Sequence, residues 1–347
     1  MTEGKNYSFK DFLNKVLAGS AAGVVISLIP NAVLSAILGY FDHINIIYMI
    51  IEAAKMFQMT LPLMIGVLIA AQFKLDIKNG IIVGAAAFVA SGVVKFDATM
   101  DQFVAAGTGD IINVMITSAI AVLMFLMIKD KFGSVSIIAL PIVVGIGASV
   151  IGMLLYPMVS QITLAIGLLI NEITSLQPIL MSILITIAFA LIIISPVSTV
   201  AIGLAIQLDG LAAGAAGMGV ATTALLLVLY SYKVNSKGVT LAIGLGGMKM
   251  MMPNLFKYPI IMVPIIFNAI ISAIPVALFQ LLGTPASAGF GLVGLVSPLA
   301  SLEAGAGIIE LVIAWIIVPL IAAYIGKILF EKVMKLYDSE EVFKYQG

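Results

Sequence analysis

Between positions 195 and 209 an apolar run is interrupted by Ser195, Ser198, Thr199, Gln207 and Asp209. Hydroxyls and carboxamides donate and accept hydrogen bonds, as recognition of an uncharged, hydroxyl-rich solute requires. The competing use of the same hydroxyls is local, as back-bonds to helix carbonyls. Residues 284–307 read TPASAGFGLVGLVSPLASLEAGAG. The stretch is apolar enough for a bilayer, yet Gly289, Gly291, Gly294, Pro298, Gly305 and Gly307 interrupt it, and Glu303 stands near its end. A charge at the centre of a span costs roughly 2.5 to 3.5 kcal/mol on insertion scales, so there it needs a partner, a cavity or a use. Ahead of a helix start, a carboxylate is also stabilised by the positive end of the helix dipole. Glu310 follows about two turns later and can share its face.

These residues define a candidate substrate site: Glu303, Ser195, Ser198, Thr199, Gln207 and Asp209, the irregular backbone at Gly291 and Gly294, and Asn31 and Asn254. Both asparagines follow a proline and are either equivalent ligand groups or caps of the next helices. Glu303 is expected to lie near the 195–209 hydroxyls in a shared cavity. Lys249, inside an apolar run, is expected to snorkel rather than to be paired. His43 is expected at the membrane surface, Met248, Met250, Met251 and Met252 as gap-filling core, and Trp315 in the core or facing lipid. No HExxH, GxSxG or P-loop pattern is present, so no catalytic residue and no enzymatic activity is assigned. The chain has no cysteine and one histidine, which removes thiolate chemistry and a histidine-cluster metal site; no cofactor is called for. All 17 basic residues are lysine, which gives no arginine fork for a bidentate anion clamp.

Elements that position such residues must be membrane elements. The chain has 347 residues, 62% hydrophobic and 10% charged, against about 25% charged in soluble domains. The expected fold is an all-α polytopic membrane protein of about ten transmembrane helices, with re-entrant or broken helices. Zero net charge gives no reason to expect a nucleic-acid partner. Residues 1–15 read as a cytoplasmic amphipathic lead-in rather than a signal peptide, 16–177 as a first membrane half, 178–330 as a second half with the broken helices, and 331–347 as a cytoplasmic tail. Lysines at both ends, with Lys74/Lys78, Lys129/Lys131 and Lys233/Lys237 between them, place both termini and those loops in the cytoplasm.

Within this plan, 44–73 is long enough for an interfacial piece and a span, with Glu52 and Lys55 on one helical face. Residues 80–94 form a short piece rich in small residues, 95–110 a polar stretch, and 111–128 a plain span. Pro30-Asn31 is expected to break the first span.

The halves echo each other. QFKLDIKNGIIVGAA at Gln72 resembles SYKVNSKGVTLAIGLG at Ser231, ISLIPNAVLSAIL at Ile26 resembles IIISPVSTVAIGL at Ile192, and LPIVVGIGASVIGMLL at Leu140 resembles VPIIFNAIISAIPVAL at Val263. Such an internal repeat, with a solute site near the midplane, is a common transporter plan.

The strings ISPVSTVAIGLAIQLDGLAAGAAGMG, the MPN at Met252 and AGFGLVGLVSP at Ala288 resemble the EIIC-like membrane proteins of the bacterial sugar phosphotransferase system, nearest the group with the PfoR-type membrane regulators. The resemblance covers most of the chain. It implies a homodimeric, multi-pass protein of the bacterial plasma membrane that carries a sugar or polyol by alternating access. It also implies that separate IIA and IIB chains would supply any phosphorylation, and that Glu303 stands by position for the glutamate that holds sugar hydroxyls. The alternative it implies is a membrane-embedded sensor or regulator on a transporter scaffold.

Overall fold

The computed structural model describes residues 7–128 and 131–346. Residues 1–6 of the lead-in, and Lys129 and Asp130 of one expected loop, lie outside the described residues. The fold is helical; among the described residues one two-stranded hairpin is the exception. Among the described residues, six helices are long and apolar enough to cross a membrane, or seven if a bent pair counts as one span. The remaining apolar helices, Ile77–Ala90, Pro178–Ile192 and Val293–Glu303, are shorter. The expected ten crossings are therefore not reached by helices of full length. Fourteen residues, as in Ile77–Ala90, rise about 21 Å, short of the roughly 30 Å of a hydrocarbon core.

The chain divides into two units. Of the described residues, one unit comprises 7–31 and 42–162; the other comprises 32–41 and 163–346.

α1 (Phe9–Leu38), most of which lies in the first unit, runs through Pro30 without interruption, contrary to the expected break. Bilayer helices tolerate proline where neighbouring groups satisfy the freed carbonyl. Gly19 and Gly23 lie one turn apart on α1, and a Cβ at either would press on the backbone of Ile69 or Ile65, the close approach that small residues permit in membranes. Those isoleucines belong to α3 (Leu61–Gln72), which α2 (Asn45–Met59) precedes at a 50° bend. Residues 44–73, expected as an interfacial piece and a span, thus form two helices. Glu52 and Lys55 form a 2.8 Å ion pair on α2. The Lys15 ammonium donates to the Gln72 carbonyl at the end of α3, 2.7 Å.

α4 (Ile77–Ala90) begins at Asp76, whose carboxylate accepts from the Asn79 N–H. The polar stretch after it folds into a hairpin, β1 (Val94–Asp97) antiparallel to β2 (Gln102–Ala105). The Thr99 hydroxyl, then the Thr99 and Met100 N–H groups, donate to Asp97 and hold its acid below the usual carboxylate range. α5 (Ile111–Ile128) has the bounds expected of it. Its buried Asn113 donates to the carbonyls of Ala90 and of Gly152, fixing α5 against the end of α4 and against α7 (Gly147–Ile173). A short α6 (Ser136–Leu140) and a π-type turn at Pro141–Ile146 lead into α7. Pro157 lies inside α7 without ending it.

The second unit is built around α10 (Gly210–Ser231), with α8 (Pro178–Ile192) and α9 (Thr199–Ala205) before it. α11 (Lys237–Gly244), α12 (Met252–Lys257) and α13 (Met262–Leu278) follow. α14 (Val296–Glu303), α15 (Ile308–Val312), α16 (Val318–Lys327) and α17 (Ser339–Val342) complete it. The α10 span is 83% buried, against 28% for Ser136–Ile173 and for Ile308–Val333, whose apolar side chains remain exposed as a lipid-facing helix requires.

The small residues of α10 explain its place. A Cβ on Gly214 would collide with the Leu281 carbonyl, and one on Gly219 with that of Thr186 on α8. Buried hydroxyls and amides supplement this close approach. Thr186 donates to the Ala215 carbonyl at 3.0 Å, Thr222 and Ser272 share a 3.0 Å bond, and Asn268 donates to the Thr222 carbonyl. Tyr230 reaches the Ala323 carbonyl on α16. Trp315 is 1% exposed, in the core rather than against lipid.

Candidate functional site

Three interrupted segments of the second unit meet on α10. The first is the break between α8 and α9, where the helix ends after Ile192 and restarts at Thr199. Its hydroxyls fix the break. Ser195 donates to the Ile192 carbonyl at 2.7 Å and accepts from the Val197 N–H, and Ser198 caps α9 by accepting from the Ala201 N–H. The back-bonding alternative therefore describes Ser195, while Ser198 acts as a helix cap. Thr199 is different. It is buried, and its hydroxyl donates to the Gly289 carbonyl at 3.0 Å, ninety positions away.

That bond joins the first segment to the second, residues 284–303. The backbones touch there: a Cβ on Gly289 would run into Val200, and one on Gly203 would press on Ala288. Gly210 and Gly283 exchange two backbone hydrogen bonds, 3.1 and 2.9 Å, closing the other end of the contact. Gly291 has φ +60 and lies against the Ala221 N–H of α10, a conformation and a closeness that both favour glycine. Gly294 is also left-handed, at φ +63. Ser297 donates to the Ser287 carbonyl and Ser301 to that of Leu282, so this stretch too is held by its own hydroxyls.

The third segment, 237–257, carries Lys249. It is 5% exposed and does not snorkel. Its ammonium donates to the carbonyls of Ser195, 2.6 Å, and Val197, 2.8 Å. Both carbonyls lie just past the C-terminal end of α8, where the helix dipole favours a cation. Met248, Met250, Met251 and Met252 around it are buried, as gap-filling residues should be.

The polar groups left for a solute are fewer than the sequence suggests. Gln207 is exposed at φ +50, with its amide donating to the Leu204 carbonyl. Asp209 is exposed at the start of α10 and makes no side-chain cap. Glu303 ends α14; its carboxylate is exposed rather than enclosed and has no hydrogen-bond or ion-pair partner among the described residues. Glu310 turns back to accept from the Gly307 N–H at 2.8 Å and starts α15. The buried indole N–H of Trp315 and the Ser182 hydroxyl have no partner among the described residues.

The two asparagines do other work. Asn31 donates to the Gln58 side chain within the first unit. Asn254 is fully buried and donates to the carbonyls of Val342 and Lys344, 2.8 and 2.7 Å, while Asn235 donates to the Phe343 carbonyl and accepts from the Tyr345 N–H. The tail is thus clamped and Phe343, wholly buried, stacks edge-on against Tyr230. Sequence reasoning missed this clamp and the partners of Lys249. The one available signal was an apolar residue, Phe343, inside a charged tail. His43 is exposed in the turn before α2.

The sequence model of the family described as "Phosphotransferase system, EIIC" matches residues 14–343. No curated protein and no solved structure matches the chain.

Proposed function

Because this chain belongs to the phosphotransferase system EIIC family over nearly its whole length, we propose that it is a permease for a sugar or polyol, working by alternating access. The observation that carries the reading is the Thr199–Gly289 bond, which seats the polar break of 195–209 directly on the glycine-rich segment 284–303. Unwound backbone at membrane depth is tolerated where it is buried in protein or lines a cavity, and transporters build solute sites from such segments. The two stretches are read as two walls of one site. Glu303, Gln207 and Asp209 supply groups that are free or exposed toward a ligand, and Gly291 and Gly294 supply close backbone approach. Ser195, Ser198 and Thr199 hold the break in shape, so their contribution to binding runs through backbone position. Asn254 and Asn31 act as structural ties in their own units.

In this reading the protein works as a homodimer in the bacterial plasma membrane, with both termini cytoplasmic. Separate IIA and IIB chains phosphorylate the solute. The test is uptake of radiolabelled hexoses, hexitols and disaccharides by proteoliposomes, with and without a phosphorylating lysate. Uptake of one class, lowered tenfold or more in Glu303→Gln at unchanged thermal stability, is the expected result. Binding of such a solute with no uptake in either condition would overturn transport and leave a sensor.

A further inference from the structure

We propose that Lys249 is a tethered cation: its ammonium occupies the carbonyl cluster at the break between α8 and α9 that would otherwise suit a free monovalent cation. Four observations converge. The side chain is 5% exposed, so its charge is not neutralised by solvent. No carboxylate lies within ion-pair distance of it among the described residues, the one ion pair there being Glu52 with Lys55. Its two acceptors, the Ser195 and Val197 carbonyls, are unwound backbone past a helix C-terminus. Such carbonyls and helix ends are the groups that coordinate sodium ions in ion-coupled transporters. Finally, the lysine comes from a different interrupted segment than its acceptors, so the ammonium also ties 237–257 to 195–198. An apolar side chain there would leave the part-buried Ser195 carbonyl and the buried Val197 carbonyl without this donor, which is costly in a medium lacking water.

The consequence is that the second unit needs no bound ion at this break. Any movement of one interrupted segment against the other must first take the ammonium from its carbonyls. The inference extends the permease reading, but its test measures folded-state stability, so its failure and the failure of solute uptake are separate results.

The experiment follows unfolding of the full chain in detergent by the fluorescence of its single tryptophan, Trp315, which lies in the same unit. Chloride salts of sodium, potassium, methylammonium and choline are compared at equal ionic strength. Wild-type protein is expected to melt at one temperature in all four. Lys249→Ala should melt several degrees lower in choline and recover part of the loss in sodium, potassium or methylammonium, which fit the vacated cluster where choline does not. Lys249→Met fills the same volume without charge and should melt below wild type in every salt. Should the alanine variant fail to fold in any salt, the methionine variant decides. A methionine variant as stable as wild type, an alanine variant with the same melting temperature in all four salts, or a sodium-specific shift in wild type would each overturn the assignment.

Discussion

At the scale of single residues, Thr199 and Glu303 carry opposite kinds of information. The Thr199 hydroxyl is wholly committed to Gly289. Thr199→Val keeps the shape and leaves the Gly289 carbonyl without its donor, a cost of about 1 to 3 kcal/mol. Chemical unfolding in detergent should show that loss, and an unchanged midpoint would remove Thr199 from the framework. Among the described residues the Glu303 side chain makes no bond that its loss would break, so Glu303→Gln should alter stability little, while solute affinity falls. Ser195 illustrates where reading residues alone stops. Its type and place marked the break correctly, but whether its hydroxyl faces a ligand or its own helix depends on backbone angles that residue type does not set. Lys249 shows the same limit: its acceptors lie more than fifty positions away in sequence, and a lysine in an apolar run looks the same whether it snorkels or binds carbonyls.

At the scale of elements, α10 is the piece against which the others close. Gly214→Ala drives a methyl into the Leu281 carbonyl, and overpacking of this kind costs about 1 to 3 kcal/mol or more because backbone cannot step aside as a flexible side chain would. A clear fall in melting temperature is expected, and a neutral substitution would contradict the fit of α10 against residues 281–283. The tail is a second test. Asn254→Ala frees the Val342 and Lys344 carbonyls, so Lys-specific protease should cut at Lys344 sooner than in wild type, as mass spectrometry would report. Equal cutting rates would mean that the clamp does not hold the tail.

Element existence was legible in the sequence where local pattern decides it: the bounds of α5, the bend between α2 and α3, the short α4 and the break after α8. Pro30 misled because the cost of proline depends on whether neighbours satisfy the freed carbonyl. The repeat was half legible. Asp76 before α4 and Ser236 before α11 cap matching short helices, whereas the stretch at Ile26 is continuous helix and its counterpart at Ile192 is broken.

At the scale of the whole molecule, composition alone established a helical membrane protein, and the family match over residues 14–343 placed it in the phosphotransferase system. The homodimer implied by family resemblance predicts a particle of two 36.4 kDa chains in nanodiscs, checked by mass photometry; one chain per particle would contradict it. The central claim is that the α9 region and the end of α14 flank one solute site. The absence of native cysteine makes this directly measurable. Single cysteines at Leu204 and Leu302, both exposed and neither assigned a binding role, would be labelled with a maleimide, with Lys55→Cys on the ion-paired face of α2 as control. The account predicts that one hexose or hexitol slows labelling at both flanking positions and leaves the control unchanged. A solute that is taken up yet protects neither position, or protects all of them equally, would contradict it.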